Sequence, residues 1–157
     1  MKKLIITLLT TILVSATVLA DDKQEAIDFF NSYVDGANNY SPAITEMYSP
    51  SAKIIRQVVK PDGTTVDVVT NTATYIKQMK IGQAGAKLRK YKNSYSNIIA
   101  TPVDDGYKIS SLRQPSGETY KLKTYMIVKK QPNGKWLITE ELMQTKEQIF
   151  LRYADKK

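Results

Sequence analysis

The feature of this sequence that most constrains its fold is a change of hydrophobic period partway along the chain. From Asp21 to Tyr40, Ile27, Phe30, Val34 and Ala37 recur at spacings of three and four, flanked by Ala26 and Tyr33. That is the signature of one helix face. From Lys87 onward the period is two, as in strands with one covered face. A chain that writes helices first and long alternating strands afterwards must cover one side of an antiparallel sheet with its own N-terminal helices, an α+β arrangement.

The intervening segments add detail. In "YSPAITEMYSPSA", Ser41 reads as an N-cap and Pro42 as the first helical position, with Ile44, Met47 and Tyr48 on one side and Ser49-Pro50 as the stop. "KIIRQVV" and "TTVDVVT" are β-branched runs joined by Lys60-Pro61-Asp62-Gly63, which predicts a hairpin. "TNTATYIKQMKIG" predicts a third helix with Tyr75, Ile76 and Met79 on one side and Gly82 at its end. Lys87 to Val103 then alternates through Tyr91, Asn93, Tyr95, Asn97 and Ile99, and "DDGYKISSL" reads as a turn and a strand. "ETYKLKTYMIVKK" places Tyr120, Leu122, Thr124, Met126 and Val128 on one face, and Trp136 to Thr145 places Trp136, Ile138, Glu140 and Leu142 on one face.

This succession resembles the nuclear transport factor 2-like superfamily, the curved-sheet cone shared by SnoaL-like cyclases and ketosteroid isomerase. The resemblance rests on "FFNSYVDGANNYSPAITEMYSPSAKII", the "VVKPDG" turn, "TNTATYIKQM" and "NGKWLITEELMQT", spanning most of Phe29 to Thr145. It implies a curved antiparallel sheet packed against three N-terminal helices, and a cup-shaped pocket between them. It also implies dimerisation through the outer face of the sheet in many members, and, in the enzymes, an aspartate, histidine or tyrosine inside the cup.

The ends of the chain suggest where such a cone works. "MKKLIITLLTTILVSATVLA" sets Lys2 and Lys3 before an apolar run that closes on Val18 and Ala20, the pattern of a secretory signal peptide over residues 1–20. A membrane anchor is the competing reading, but threonines and Ser15 interrupt the run and Asp21-Asp22 follow it. We therefore expect an exported bacterial protein, periplasmic in location, with a single domain over residues 21–145 and a charged tail over 146–157. That tail, "KEQIFLRYADKK", has room for one or two helical turns.

The 157 residues include no Cys and no His. Thiolate nucleophiles, histidine bases and zinc sites built on nitrogen or sulfur are thereby excluded, and no metal or organic cofactor is expected. Carboxylates, tyrosines, lysines, arginines and hydroxyls are what remain for chemistry. Glu140 is the candidate inward carboxylate, because its strand phase matches Trp136, Ile138 and Leu142; Asp67 has a less decided phase. A buried carboxylate needs a partner, and Arg56, between Ile54 and Val58 on an apolar strand face, is the expected one. A structural salt bridge is the plain reading of that pair. Tyr33, Tyr48, Tyr91 and Tyr95 have phases that suit a cavity lining, and Asn93 and Asn97 share the face of Tyr91 and Tyr95. Thr124 completes the set of candidate pocket residues. The asparagines would equally mark a place where the strand bends out of the cup.

The stretch "KLRKYKNSYS" concentrates Lys87, Arg89, Lys90 and Lys92 around Tyr91 and Tyr95. On a strand, period two would send lysines and tyrosines to opposite faces, which does not suit a single-stranded nucleic acid. Nucleic acid is therefore not an expected partner. Lys121, Lys123 and Lys129 extend a basic outer face that anionic lipid would meet, although a solvated face explains them as well. Tyr125 and Ile127 interrupt it and are candidates for a homodimer interface.

The functional expectation is an exported, non-catalytic binding or accessory module, with a cup-shaped pocket for a small or amphipathic ligand or a protein partner. One alternative is a lyase or isomerase using Glu140 with Tyr95 or Tyr33. Another is an envelope assembly protein docking through its outer sheet face.

Overall fold

The computed structural model describes residues 21–154; the expected signal peptide and the last three residues of the tail lie outside the described residues. The first helix, α1, covers residues 21–38 and buries Ala26, Phe30 and Tyr33. Ile27, Val34 and Ala37 of the same stripe pack at its margin. Ser41 then caps a 3₁₀ helix, Pro42–Met47, its hydroxyl accepting from the amide of Ala43. Tyr48 belongs not to that helix but to the first strand, β1 (Tyr48–Val59), so Ser49-Pro50 lies inside a strand. The pairing of β1 is irregular between Tyr48 and Lys53, which accommodates a proline that cannot donate to the ladder.

The hairpin to β2 (Thr65–Asn71) turns on Gly63 at φ 83, a left-handed conformation that glycine adopts without strain. Helix α2 (Thr72–Leu88) follows, with the Asn71 side chain accepting from the Thr74 amide at 2.9 Å. It runs on past Gly82, where the sequence predicted its end. Gly82, Ala84, Gly85 and Ala86 carry little apolar signal, so periodicity faded while the helix continued. The turn comes at Lys90, with φ 51, where the Tyr91 amide reaches back to the Ala86 carbonyl at 2.9 Å. The stretch from Lys87 to Lys92 is therefore helix end and turn, and the strand expected from Lys87 begins at Asn93.

Strands β3 (Asn93–Val103), β4 (Gly106–Pro115), β5 (Leu122–Lys130) and β6 (Trp136–Thr145) complete a six-stranded sheet in the order β2-β1-β6-β5-β4-β3. Gly106 is obligatory where β4 meets β5, since a Cβ there would lie 2.1 Å from the Val128 carbonyl oxygen. The sheet is not wholly antiparallel as expected: β1 pairs with β6 in parallel. Those two strands are joined through residues 60–135 rather than by a hairpin, so no tight turn sets their relative direction. The curved sheet wraps α1, and the core lies on its concave side. Phe30 meets Ile54, Ile109, Met126, Val128 and Ile138 there, with Trp136 closing one end. The C-terminal tail forms a second 3₁₀ helix, Gln148–Tyr153, tied to β1 by a bond from the Gln148 side chain to the Val59 carbonyl at 2.9 Å.

Lys90 holds a conformation that L-residues with a Cβ disfavour by about 1 kcal/mol. Lys90→Gly should therefore raise the stability measured by urea unfolding by about that amount.

Candidate functional site

The inner face of β6 decides what lies at the base of the cone. Ile127 pairs with Glu140 and Val128 with Ile138, so Thr139 is an extra residue in the β6 strand. A bulge of this kind shifts the alternation by one position. Ile138 and Glu141 consequently both point inward and are both fully buried, at 0% exposure. Glu140, the expected inward carboxylate, is on the outer face and accepts a hydrogen bond from the Tyr125 hydroxyl at 2.6 Å.

The expected Arg56–Glu140 pair is therefore replaced by an Arg56–Glu141 pair, with Nη1 2.7 Å from Oε1. The Glu141 side chain is completely enclosed and that of Arg56 is 12% exposed. Arg56 Nη2 donates to the Tyr75 hydroxyl at 2.5 Å, and its guanidinium carbon lies 4.6 Å from the centre of the Tyr75 ring. The second carboxylate oxygen of Glu141 accepts from the Tyr48 hydroxyl. The Tyr33 and Tyr48 hydroxyl oxygens are 3.0 Å apart. Since the one Tyr48 proton goes to the carboxylate, Tyr33 donates to Tyr48. Edge-on ring contacts link Tyr33 to Tyr48 and Tyr48 to Tyr75, with centroids 6.1 and 5.4 Å apart. Burial holds the Tyr33 and Tyr48 hydroxyls well above the ordinary tyrosine value, and the Glu141 charge pushes them the same way. Burial raises Tyr75 too, against the opposing pull of Arg56.

Each Glu141 oxygen thus has its own donor from within the chain, and the carboxylate touches no solvent. A proton transfer needs the reacting atom within hydrogen-bond reach of the base, and here that reach is filled. Arg56 and Tyr75 do border a cleft of about 230 Å³ at the mouth of the cone. Its other walls include Asn71, Thr74 and Gln78, with Phe150 and Tyr153 from the C-terminal 3₁₀ helix.

The structure brings Tyr33, Tyr48 and Arg56 together and separates the remaining candidates. Tyr95 packs edge-on against Phe30, with ring centroids 5.5 Å apart. Asn93 exchanges two backbone–amide bonds of 2.9 Å with Asn38, tying the end of α1 to β3. Asn97 is exposed at φ 55, in a bulge where Asn97 and Ile98 together oppose one β4 position. It lies where the strand leaves the cup, and with Thr124, Tyr125 and Leu142 it borders a hollow of about 390 Å³ on the outer face of the sheet. The buried Thr124 hydroxyl donates to the Leu142 carbonyl at 2.8 Å. Tyr125 and Ile127 are on the outer face, as their phase required.

Three residues of the interior escaped sequence reasoning. Glu141 was given the wrong face because the bulge is invisible to a strict period of two, although two successive glutamates in a half-covered strand meant that one of them could turn inward. Tyr75 had the correct helical phase, but nothing in its own helix named its partners. Arg113 on β4 is 5% exposed and bonds to Asn93 Oδ1 at 2.8 Å and the Gln144 carbonyl at 2.7 Å. Among the described residues no carboxylate lies within ion-pair distance of it.

On the outer face an apolar row crosses the sheet in register: Val69 pairs with Ile55, Ile55 with Leu142, and Leu142 with Tyr125. Lys108 covers the Tyr125 ring, its Nζ 4.0 Å from the centroid.

No family model matches the chain, and no curated protein matches it in sequence. Solved structures do match in shape. A nuclear transport factor 2-like protein with a cystatin-like fold from Novosphingobium aromaticivorans superposes with a TM-score of 0.59 at 13% identity, covering 87% of this chain and 90% of that one. A protein of unknown function from the DUF3225 family of Pectobacterium atrosepticum gives 0.59 at 17% identity, covering 80% and 91%. Nuclear transport factor 2 from Cryptosporidium parvum gives 0.55 at 12% identity, covering 78% and 93%. The chain has the nuclear transport factor 2-like fold.

Two measurements check the interior. Glu141→Ala strands the Arg56 charge and should cost about 3–5 kcal/mol of unfolding free energy, whereas Glu140→Ala should cost about 1 kcal/mol; equal losses would contradict the assignment of faces. The second concerns alkali. Up to about pH 10 the tyrosines keep their protons in both states, but above it the unfolded chain ionises while buried Tyr33 and Tyr48 resist. Stability should then fall with rising pH by up to about 1.4 kcal/mol per unit for each such phenol. Tyr33→Phe should flatten that slope in urea titrations run between about pH 9 and 11.

Proposed function

We propose that this protein is an exported, non-catalytic accessory module of the bacterial envelope that works by contact through the outer face of its sheet. The observation that carries this reading is the closed state of Glu141. The one carboxylate at the base of the cone is fully buried and engaged by Arg56 and Tyr48, which leaves it no open position toward a substrate. Glu140, on which the lyase or isomerase alternative depended, faces away from the cone and is held by Tyr125.

The outer face supports a second copy of the chain as the partner. Each flank of the row Val69, Ile55, Leu142 and Tyr125 carries an acid nearer its β2 end and a cation nearer its β4 end: Asp67 on β2 with Lys123 on β5 on one flank, Glu140 on β6 with Lys108 on β4 on the other. A two-fold axis through the row's centre and parallel to the strands would set the acidic end of one copy against the basic end of the other, a self-complementary arrangement. Residues 1–20 would deliver the chain across the inner membrane.

Light scattering on the purified protein should give the mass of two chains, and Tyr125→Glu should reduce it to one. Val69→Lys, at the exposed end of the row and away from the Tyr125–Glu140 bond, should weaken the dimer without lowering the melting temperature. A monomeric wild type, or a dimer indifferent to both changes, would sink the outer-face reading.

A further inference from the structure

We propose that the solvent face of α2 and the turn that follows it form a docking surface for an anionic lipid membrane. The argument begins with charge. From Val68 to Val103 the chain has no acidic residue, yet it holds Lys77, Lys80, Lys87, Arg89, Lys90 and Lys92. All six are exposed, and among the described residues none of them forms an ion pair. The positive field of this face is therefore uncompensated within the described chain.

The second observation is where the apolar residues stand. Lys77, Ile81, Ala84 and Leu88 follow one another at helical spacing and make one stripe, which is the side opposite Thr72, Tyr75 and Met79. Ile81 is 73% exposed and Leu88 85%. Single exposed apolar side chains are ordinary. Two on one stripe, bracketed by six cations, are the composition of a helix that lies in a lipid–water interface. Lysines placed only for solubility need no such companions.

The third observation is that α2 is anchored from its other side, so this face is free for an outside partner. The Thr72 hydroxyl lies 3.0 Å from both the Ser49 and the Ala52 carbonyl oxygens and shares its one proton between them, Tyr75 belongs to the Glu141 network, and the Gln83 amide donates to the Tyr40 carbonyl at 2.5 Å. No helix among the described residues is long and apolar enough to cross a membrane, so the contact is a peripheral one. It also answers the puzzle of "KLRKYKNSYS". Its cations belong to a helix end and turn rather than to a strand, which places them beside the aliphatic side chains of α2.

Co-sedimentation with vesicles tests this. The protein should partition onto phosphatidylcholine vesicles containing phosphatidylglycerol roughly tenfold more strongly than onto phosphatidylcholine alone, and raised salt should remove most of the difference. Lys77→Gln/Lys80→Gln/Lys87→Gln and, separately, Ile81→Ser/Leu88→Ser should each weaken binding by roughly tenfold, with circular dichroism melts unchanged because all five side chains are exposed. Absence of salt-sensitive binding to the anionic vesicles overturns the proposal. So does full binding by the Ile81→Ser/Leu88→Ser protein together with equal retention by dextran sulfate, which would reduce the face to a charge patch for any polyanion. A change of oligomeric mass in that variant with vesicle binding intact would assign the stripe to a contact between chains and would likewise overturn it. None of these readings depends on whether the outer sheet face dimerises.

Discussion

Glu141 is a carboxylate with no access to water, and the concave side of the sheet is organised around keeping it satisfied. Removing such a charge from solvent costs several kcal/mol, which only close pairing and further hydrogen bonds offset. Arg56 supplies the pairing from β1, Tyr48 the second donor from the start of the same strand, and Tyr75 fixes the guanidinium from α2. Tyr33 extends the chain of hydroxyls to α1. Three segments distant in sequence, α1, β1 and α2, are thus locked to one carboxylate on β6. Apolar packing alone would have held them together, but it would not have specified their register.

That lock bears on what a cone of this shape can do. A curved sheet closed over helices is a ready vessel, and a single open carboxylate inside it would suit proton transfer. Here the vessel is filled at its base by the protein's own phenols and guanidinium. The same fold therefore presents its chemistry outward. Its convex side carries an apolar row with charges of both signs arranged about it, and the free side of α2 carries positive charge and exposed aliphatic side chains without any acid. The two surfaces differ in kind: one sets charges of both signs about an apolar row, the other sets cations alone beside exposed aliphatic side chains. Arg113 is buried between Asn93 and Gln144, with neutral acceptors in place of a carboxylate.

Much of the architecture was legible because periodicity survives in the covered elements. The stripe of α1, the hairpin at Gly63 and the inward series Leu122, Thr124, Met126 and Val128 all follow from counting residues along regular backbone. Reading failed where the backbone departs from its period or the signal is dilute. Gly82 and Gly85 gave no sign that α2 continued, and the bulges at Thr139 and Asn97 turned Glu140 and Asn97, two of the expected pocket residues, away from the inner face. The parallel pairing of β1 with β6 was hidden for a related reason. No turn joins the two strands, so their relative direction is a property of the closed sheet.

By itself the sequence determined that helices precede a long half-covered sheet, that histidine and thiol chemistry are absent, and that one segment is basic without a single acid. These are local or compositional properties, and every one can be read from neighbours along the chain. Tertiary structure decided which of two adjacent glutamates is buried, that Arg56 meets Glu141, and that the basic segment shows its cations and its aliphatic side chains on one surface. Each of those outcomes turns on a single-residue shift in a strand or on the true end of a helix. A shift of that size leaves the hydrophobic pattern almost unchanged while it reverses the direction in which a side chain points.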